Sequence, residues 1–168
     1  LTRRVITYGS DAAADYRATN IKIEGEFWCF DVERISQLAP LQVRLGIPGH
    51  HNVLNALAAI AIASDEGISD DAIVRGLGEF AGVDRRFEMT PTISIGDTVV
   101  ALVDDYGHHP TEVEAVIATA RQVWPERRLV MVYQPHRYSR TKDLFDDFVR
   151  VLSMVDVLLL LDVYSAGE

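Results

Sequence analysis

The segment "QPHRYSR", residues 134–140, places several side chains that bind anions or transfer protons in one turn. Arg137 and Arg140 carry planar guanidinium groups, which bind carboxylates and phosphates through paired hydrogen bonds. His136 can titrate near neutral pH. The chain as a whole is acidic, with a formal net charge of −9, so a basic turn is informative here. These residue types predict a site for a carboxylate or a phosphate.

The segment "DDYGHHP", residues 104–110, combines an acid, a phenol and two imidazoles. His108 and His109 can donate hydrogen bonds or titrate near neutral pH, whereas Pro110 is typical of a helix start, where His109 would be a plain N-cap. Two alternatives stay open for both segments. Their side chains can pair with local acids or cap helices, or the nearby histidines can bind zinc together with Asp104 or Asp105, although no HExxH spacing is present.

The elements around these segments predict that they lie together. Apolar strands are expected at 98–103, 128–133 and 156–163, with amphipathic helices between them at 110–124 and 141–155. Strands that are apolar throughout are typical of a parallel sheet with helices on both faces. The carboxyl ends of parallel strands share one edge, where ligands bind in open α/β sheets. The segments 104–110, 134–140 and 162–168 each follow one of these strands, so we expect them at a common edge. The inward-facing residues expected of the second helix are Leu144, Phe145, Phe148 and Leu152.

The first half of the chain, residues 1–84, has a different pattern. Strands are expected at 3–9, 20–34 and 41–49, with a turn at Gly25. Helices are expected at 50–67 and 69–80, the second with Ser69 as its N-cap and two aspartates in its first turn. The apolar stripe expected of the first helix is Val53, Leu54, Leu57, Ala58 and Ala61. A hairpin around Gly96 and Asp97 opens the second half, residues 85–168.

Composition excludes several classes of protein. An acidic chain is a poor general binder of nucleic acid or of anionic membranes, and no apolar run approaches the roughly 20 residues of a membrane span. A single cysteine, Cys29, excludes an internal disulfide and a cysteine-based zinc site, which fits a reducing cytoplasm, and we expect a half-buried strand thiol. No feature predicts a particular oligomeric state. The absence of an initial Met and an end just after a strand suggest a fragment of a longer protein.

Two further groups of polar residues lie near the junction of the halves. Asn52 and Asn55 are three positions apart on one face of a helix, in its first turn, where amides can cap the helix or contact a phosphate or ribose. Arg85 and Arg86 lie at the boundary itself and can form a salt bridge or bind a phosphate. The residues alone leave these alternatives open.

The motifs taken together resemble the Mur ligase family. The stretches that carry the resemblance are "GHHNVLNALAAIAIA", "FAGVDRRFE", "VDDYGHHPTEVEAVIATAR" and "MVYQPHRYSRTKDLFDDF". The resemblance covers residues 45–168 and is most specific in "DDYGHHPTE" and "QPHRYSRT", which point to the member that adds L-alanine to UDP-N-acetylmuramate. It implies a Rossmann-like C-terminal domain over 85–168, truncated, preceded by the strand and helix end of a central ATP-binding domain over 1–84. The reaction implied uses ATP and Mg²⁺ in the bacterial cytoplasm and passes through an acyl phosphate.

The resemblance also implies residue roles. Asn52, Asn55, Arg86 and Asp105 match ATP-binding residues, with His51 supporting the asparagines. Tyr106, His108, Arg137 and Arg140 match residues of the amino-acid pocket, with His136 supporting its wall. One of the two arginines would receive the alanine carboxylate.

Parts of the family's catalytic apparatus do not occur in this sequence. It contains no GxxxxGK(S/T) phosphate loop, and the family's metal ligands, modified lysine and UDP-sugar domain are expected upstream of Leu1. The 168-residue chain alone is therefore predicted to be inactive, because nothing stabilises the γ-phosphate during transfer. The alternatives are another Mur-type or folylpolyglutamate-type ligase, or a non-catalytic module that binds nucleotides or carboxylates.

Overall fold

The computed structural model describes residues 5–25, 27–35 and 37–168, so the first residues of the strand expected at 3–9 lie outside the described part. The chain forms two compact units, Leu1–Gly82 and Val83–Glu168. The α/β class predicted from the sequence is confirmed. No helix in the described part of the chain is long and apolar enough to cross a membrane.

The first unit is built on a four-stranded sheet in the order β1-β2-β3-β4. The pair β1–β2 is parallel, and the other two pairs are antiparallel. Gly25, with φ of 64°, follows β2 in the turn predicted there, because glycine adopts positive φ at little cost. Cys29 is half-buried in β3, as expected. The strands are β1 Tyr8–Gly9, β2 Tyr16–Glu24, β3 Phe27–Arg34 and β4 Gln37–Leu45.

Two helices, α1 His50–Asp65 and α2 Asp70–Glu79, follow the sheet. Both predicted helices are confirmed, but the stripe expected on α1 is partly wrong. Ala56 and Ile60 are buried although they were not predicted, and Ala58 is only half-buried, whereas Leu54, also half-buried, packs against the core as predicted. The core-facing residues repeat every three or four positions from Val53, which rotates the stripe relative to the predicted one. Ser69 is the N-cap of α2, as predicted, although its side chain makes no capping hydrogen bond.

The second unit opens with short antiparallel pairs. The predicted hairpin is confirmed, since Ile95 pairs with Thr98 around the Gly96-Asp97 turn. The continuous strand expected at 98–103 is wrong, because it is split into β7, Thr98–Val100, and β8, Val103–Asp104, and β8 pairs antiparallel with β5, Glu88–Met89. A hydrogen bond of 3.0 Å from Thr90 N to Leu102 O extends this alternative pairing. The strands are β5 Glu88–Met89, β6 Ile93–Ile95, β7 Thr98–Val100 and β8 Val103–Asp104.

The rest of the second unit contains a parallel pair of strands together with helices. Strands β9 Val130–Tyr133 and β10 Val157–Leu160 pair in parallel, and helix α3 Pro110–Val123 precedes them. Side chains of α3, of β9 and of residues 148–152 share one core cluster, which comprises Val113, Ile117, Tyr133, Phe148, Val151 and Leu152. The expectation that helices cover both faces is not met within the described residues, because the side chains of β10 remain exposed.

The helix predicted at 141–155 is two helices, α4 Tyr138–Asp143 and α5 Phe145–Leu152. The break falls at Leu144, whose φ of −114° is outside the helical range. This break changes which residues face the core. Phe148 is buried, whereas Phe145 is 59% exposed, so its predicted inward position is wrong.

Candidate functional site

The turns that follow β8, β9 and β10 converge, as the sequence predicts. The ring of His108 lies 5.2 Å from that of Tyr106 and 5.7 Å from that of His136. His136 in turn lies 5.4 Å from the ring of Tyr164 and pairs with Tyr164 in an isolated parallel bridge. We call these four residues the strand-end cluster. Three separate segments of the chain therefore meet at one place in the second unit.

The first of these turns is held by the start of α3. His109 is the N-cap, as predicted, and its Nδ1 accepts a hydrogen bond of 3.3 Å from Thr111 N. Glu112 completes the capping box, because its Oε2 accepts hydrogen bonds of 3.0 Å from both His108 N and His109 N. His108 Nδ1 also lies 3.1 Å from Tyr106 O. A carbonyl only accepts, so in this hydrogen bond Nδ1 carries the proton, and in the singly protonated tautomer Nε2 is an acceptor.

Glu112 was not among the predicted site residues, yet it joins several of them. Besides its two backbone bonds, it receives Arg86 Nη1 at 3.4 Å. Burial alone would raise the pKa of the Glu112 carboxyl. The backbone N–H groups of His108 and His109, with smaller effects of the His108 and Arg86 charges, hold this pKa below its usual value. The signal for this role was available in the sequence, since Glu112 lies three residues after the predicted N-cap.

Asp105 links the junction segment to the same turn. Its Oδ2 accepts from Phe87 N at 2.8 Å, and its Oδ1 accepts from Gly107 N at 2.6 Å. A Cβ added at Gly107 would lie 2.8 Å from Asp105 Oδ1, so the Asp105 carboxylate would have to shift. Tyr106 N also donates to Arg85 O at 2.7 Å, and the Arg85 guanidinium lies 4.9 Å from the centroid of the Tyr106 ring. The carboxylate thus joins the backbone of the junction segment to the backbone of the turn.

The two arginines of the second turn have different surroundings. Arg137 Nε donates to Glu168 Oε1 at 3.0 Å, which forms an ion pair. The Arg140 side chain makes one hydrogen bond within the described residues, from Nη1 to His136 O at 3.4 Å, and it has no ion pair there. Glu168 and Tyr164 belong to the segment that the sequence placed at this edge, but no role was predicted for either residue. Their contacts span a long sequence separation, which local patterns do not reveal.

Two buried polar atoms beside this site have no hydrogen-bond partner among the described residues. They are Tyr133 Oη and His136 Nδ1. Burial raises the pKa of the Tyr133 phenol to about 12, with smaller opposing effects of the Arg140 and Glu112 charges. The hydroxyl therefore keeps its proton at neutral pH.

The predicted nucleotide-binding asparagines lie in the first unit. Asn52 Nδ2 donates to Pro48 O at 2.6 Å, and Asn55 Nδ2 donates to Asn52 Oδ1 at 3.3 Å. The N-cap of α1 is Gly49, so neither side chain caps the helix. His51, beside them, is half-buried. The amides instead stabilise the turn that leads into α1.

Comparison with known families identifies both units. The Mur ligase middle domain matches residues 1–63, and the Mur ligase glutamate ligase domain matches residues 85–168. The chain belongs to the Mur ligase family.

Individual Mur ligases give closer comparisons. A UDP-N-acetylmuramate–L-alanine ligase of Psychrobacter sp. (strain PRwf-1) is 59% identical over 166 residues, which are 99% of this chain and 35% of that relative. The crystal structure of a UDP-N-acetylmuramate-alanine ligase, MurC, from Thermotoga maritima matches with a TM-score of 0.78 and 30% identity, over 96% of this chain and 35% of that one. MurF from Acinetobacter baumannii matches with a TM-score of 0.67 and 24% identity over 94% and 37%, which shows a shared fold. This chain thus spans about a third of the length of these relatives.

In this Mur ligase chain, the residues of the predicted amino-acid pocket lie together in the second unit, whereas those of the predicted nucleotide site are divided between the two units. The strand-end cluster contains Tyr106, His108 and His136. Arg140 donates a hydrogen bond to the backbone carbonyl of His136. Arg86 and Asp105 lie beside them in the second unit, whereas the asparagines belong to the first. The zinc alternative is not supported, because residues 5–25, 27–35 and 37–168 contain no group of three or more His, Cys, Asp or Glu able to hold a metal ion.

Proposed function

We propose that this chain is part of an ATP-dependent ligase that joins L-alanine to UDP-N-acetylmuramate in the bacterial cytoplasm, in peptidoglycan biosynthesis. The observation that carries the proposal is the 59% identity, over nearly the whole chain, to a relative with that name. The domain limits predicted from the sequence, 1–84 and 85–168, would make the two units parts of the central and C-terminal domains. The arrangement of the strand-end cluster supports a role in amino-acid binding.

The proposed amino-acid pocket uses opposite ends of a small ligand. Arg140 or Arg137 would bind the alanine carboxylate, since a guanidinium matches the geometry of that group. His108 Nε2 would accept a hydrogen bond from the amino group, because Nδ1 donates to Tyr106 O at 3.1 Å. An amine must lose its extra proton before it attacks an acyl phosphate, so an acceptor at this atom would favour the reactive form. Tyr106 and His136 would form the apolar and aromatic walls.

The family resemblance implies ATP contacts for residues within each of the two units. Each oxygen of Asp105 already accepts one backbone N–H and keeps capacity for a ribose hydroxyl. Arg86 is half-exposed and held by a single 3.4 Å contact, which leaves its guanidinium able to meet a phosphate. Asn52, Asn55 and the neighbouring His51 would act from the start of α1. Mg²⁺, which the family resemblance implies, finds no ligand set among the described residues, and no step is assigned to it here.

The test is the amino-acid dependence of turnover by the full-length protein that contains this chain. ADP release is measured with UDP-N-acetylmuramate, ATP and Mg²⁺, in the presence of L-alanine, glycine, L-serine or D-glutamate. The proposal predicts that turnover requires the UDP-sugar and is fastest with L-alanine. Preferential turnover with D-glutamate, or none with any amino acid, would contradict it. The 168-residue chain alone is expected to release no ADP under the same conditions, since it lacks a phosphate loop.

A further inference from the structure

Glu168 fills a carboxylate-binding position in the second strand-end turn. Its Oε1 accepts hydrogen bonds from Arg137 Nε at 3.0 Å and from Ser139 Oγ at 2.5 Å. Its Oε2 accepts from Ser139 N at 3.0 Å. Both oxygens of the Glu168 carboxylate therefore accept hydrogen bonds from residues 137–139 of the turn that follows β9.

Main-chain hydrogen bonds join the same two segments. Arg137 N donates to Tyr164 O, and Tyr164 N donates to Pro135 O, both at 2.8 Å. Arg137 has a φ of 75°, which a non-glycine residue adopts when its surroundings fix it there. The Glu168 side chain and these backbone bonds hold Arg137 in that conformation from two sides.

The charges of the two arginines are consequently unequal. Glu168 offsets the charge of Arg137, and a second carboxylate approaching Arg137 would be repelled by it. Arg140 has no acidic partner among the described residues, and the single hydrogen bond of its side chain is long. An incoming carboxylate is therefore attracted more strongly to Arg140 than to Arg137.

We propose that Glu168 is a positioning residue for the amino-acid pocket, which acts on the 134–140 turn through its contacts with Arg137 and Ser139. This inference rests on the proposed function. Glu168 holds Arg137 and Ser139, and this fixes the 134–140 turn from which Arg140 and His136 reach the pocket. The contrasting arrangement has Glu168 compete with the substrate carboxylate for Arg137.

The test compares variants of the full-length ligase by their KM values for alanine and for ATP. Glu168→Gln keeps the size of the side chain but removes its charge, and it is expected to raise the KM for alanine about tenfold, as for loss of one charge-assisted hydrogen bond. Arg137→Gln is expected to have a similar effect. The double variant Arg137→Gln, Glu168→Gln is expected to have a KM for alanine no higher than that of either single variant, because both changes break the same contact. Arg140→Lys is expected to raise the KM for alanine at least as much. The KM for ATP is expected to stay within about twofold in every variant.

Each other result overturns a defined part of the assignment. A lower KM for alanine in Glu168→Gln would mean that Glu168 competes with the substrate. If the increases in the KM for alanine caused by Arg137→Gln and by Glu168→Gln multiply in the double variant, the two residues act independently. A normal KM for alanine in Arg140→Lys would contradict the amino-acid pocket itself. A raised KM in Arg140→Lys with a normal one in Glu168→Gln would contradict only the role of Glu168.

Two further variants serve as a second test of the positioning role and as a control. Ser139→Ala removes one of the three donors to Glu168 and leaves the ion pair, so an intermediate rise in the KM for alanine is expected. An unchanged KM in this variant would count against the positioning role. Glu126→Gln changes an exposed acid elsewhere in the second unit and serves as the matched control, with no expected change.

Discussion

The imidazole rings of His108 and His136 lie 5.7 Å apart, although they follow two strands, β8 and β9, that are not hydrogen-bonded to each other. What brings them together is the packing of α3 against β9, since Val113 and Ile117 share a core cluster with Tyr133. The position of the candidate pocket therefore depends on this helix and on its N-terminal cap more than on a continuous sheet.

The cap of α3 is expected to support both stability and amino-acid binding. Glu112→Ala removes the acceptor for His108 N and His109 N, and loss of a capping interaction typically costs about 1 kcal/mol of unfolding free energy. The released His108 is also expected to bind alanine less well. Because the pKa of Glu112 is lowered in the folded protein, its contribution is present at neutral pH and is lost as the pH falls through that lowered pKa. Denaturation of wild type and variant at several pH values measures this.

Glu114→Ala, in the same helix, is the control for that experiment. Glu114 forms an exposed ion pair with Arg150, and ion pairs of this kind contribute little to the free energy of unfolding. Equal losses of stability in the two variants, or a difference between Glu112→Ala and wild type that does not shrink in acid, would contradict the role assigned to the cap.

The space at Gly107 is expected to be essential for the Asp105 contacts. In Gly107→Ala the new Cβ would lie 2.8 Å from Asp105 Oδ1, so the carboxylate has to move away from the two backbone N–H groups that it binds. We expect the KM for ATP to rise by about tenfold if Asp105 also binds the ribose, as for the loss of one hydrogen bond to a charged group. Steady-state kinetics of the full-length protein test this, with Gly76→Ala, an open position in α2, as the control. Normal ATP kinetics in Gly107→Ala would count against a nucleotide role for Asp105.

Removal of the buried Tyr133 hydroxyl is expected to stabilise the protein. A buried donor without a partner costs about 1–3 kcal/mol, so Tyr133→Phe should raise the unfolding free energy by about 1 kcal/mol. Tyr138→Phe, at a tyrosine that is 56% exposed, should change it by less than about 0.5 kcal/mol. Thermal unfolding of the two variants makes the comparison. A loss of stability in Tyr133→Phe would show that the hydroxyl has a partner in solution.

Local features of the fold were predictable from the sequence, whereas contacts across the chain were not. The His109 cap and the Gly96-Asp97 hairpin depend on residues a few positions apart, and both were predicted. The ion pair of Arg137 with Glu168 joins two turns that are distant in sequence, and residue types alone gave Arg137 and Arg140 the same role. The split of the strand expected at 98–103 depends on a competing pairing with β5, which an apolar pattern does not encode.

In the first unit, the stability of the fold is expected to depend on the ion pair between Arg34 and Asp70. The Arg34 side chain is 3% exposed and forms two hydrogen bonds to the Asp70 carboxylate, at 2.7 and 2.9 Å. The hydrogen bond from Arg34 lowers the pKa of Asp70. Asp70→Ala leaves a buried charge without its partner, which typically costs about 3 kcal/mol. Urea denaturation should show this loss, together with a partial recovery in the Arg34→Met, Asp70→Ala double variant.

Asp71 provides the matched control in the same first turn of α2. Asp71→Ala loses only a favourable interaction with the helix dipole, worth about 0.5 kcal/mol at an exposed position. Similar costs for Asp70→Ala and Asp71→Ala would mean that the Arg34 contact contributes little.

The most direct test of the proposed amino-acid pocket is the KM for alanine of Arg140→Ala in the full-length protein, measured beside its KM for ATP. Loss of the guanidinium removes the anchor for a carboxylate, so the KM for alanine is predicted to rise by about tenfold or more while the KM for ATP stays nearly constant. An unchanged KM for alanine, or equal increases for both ligands, would contradict the pocket.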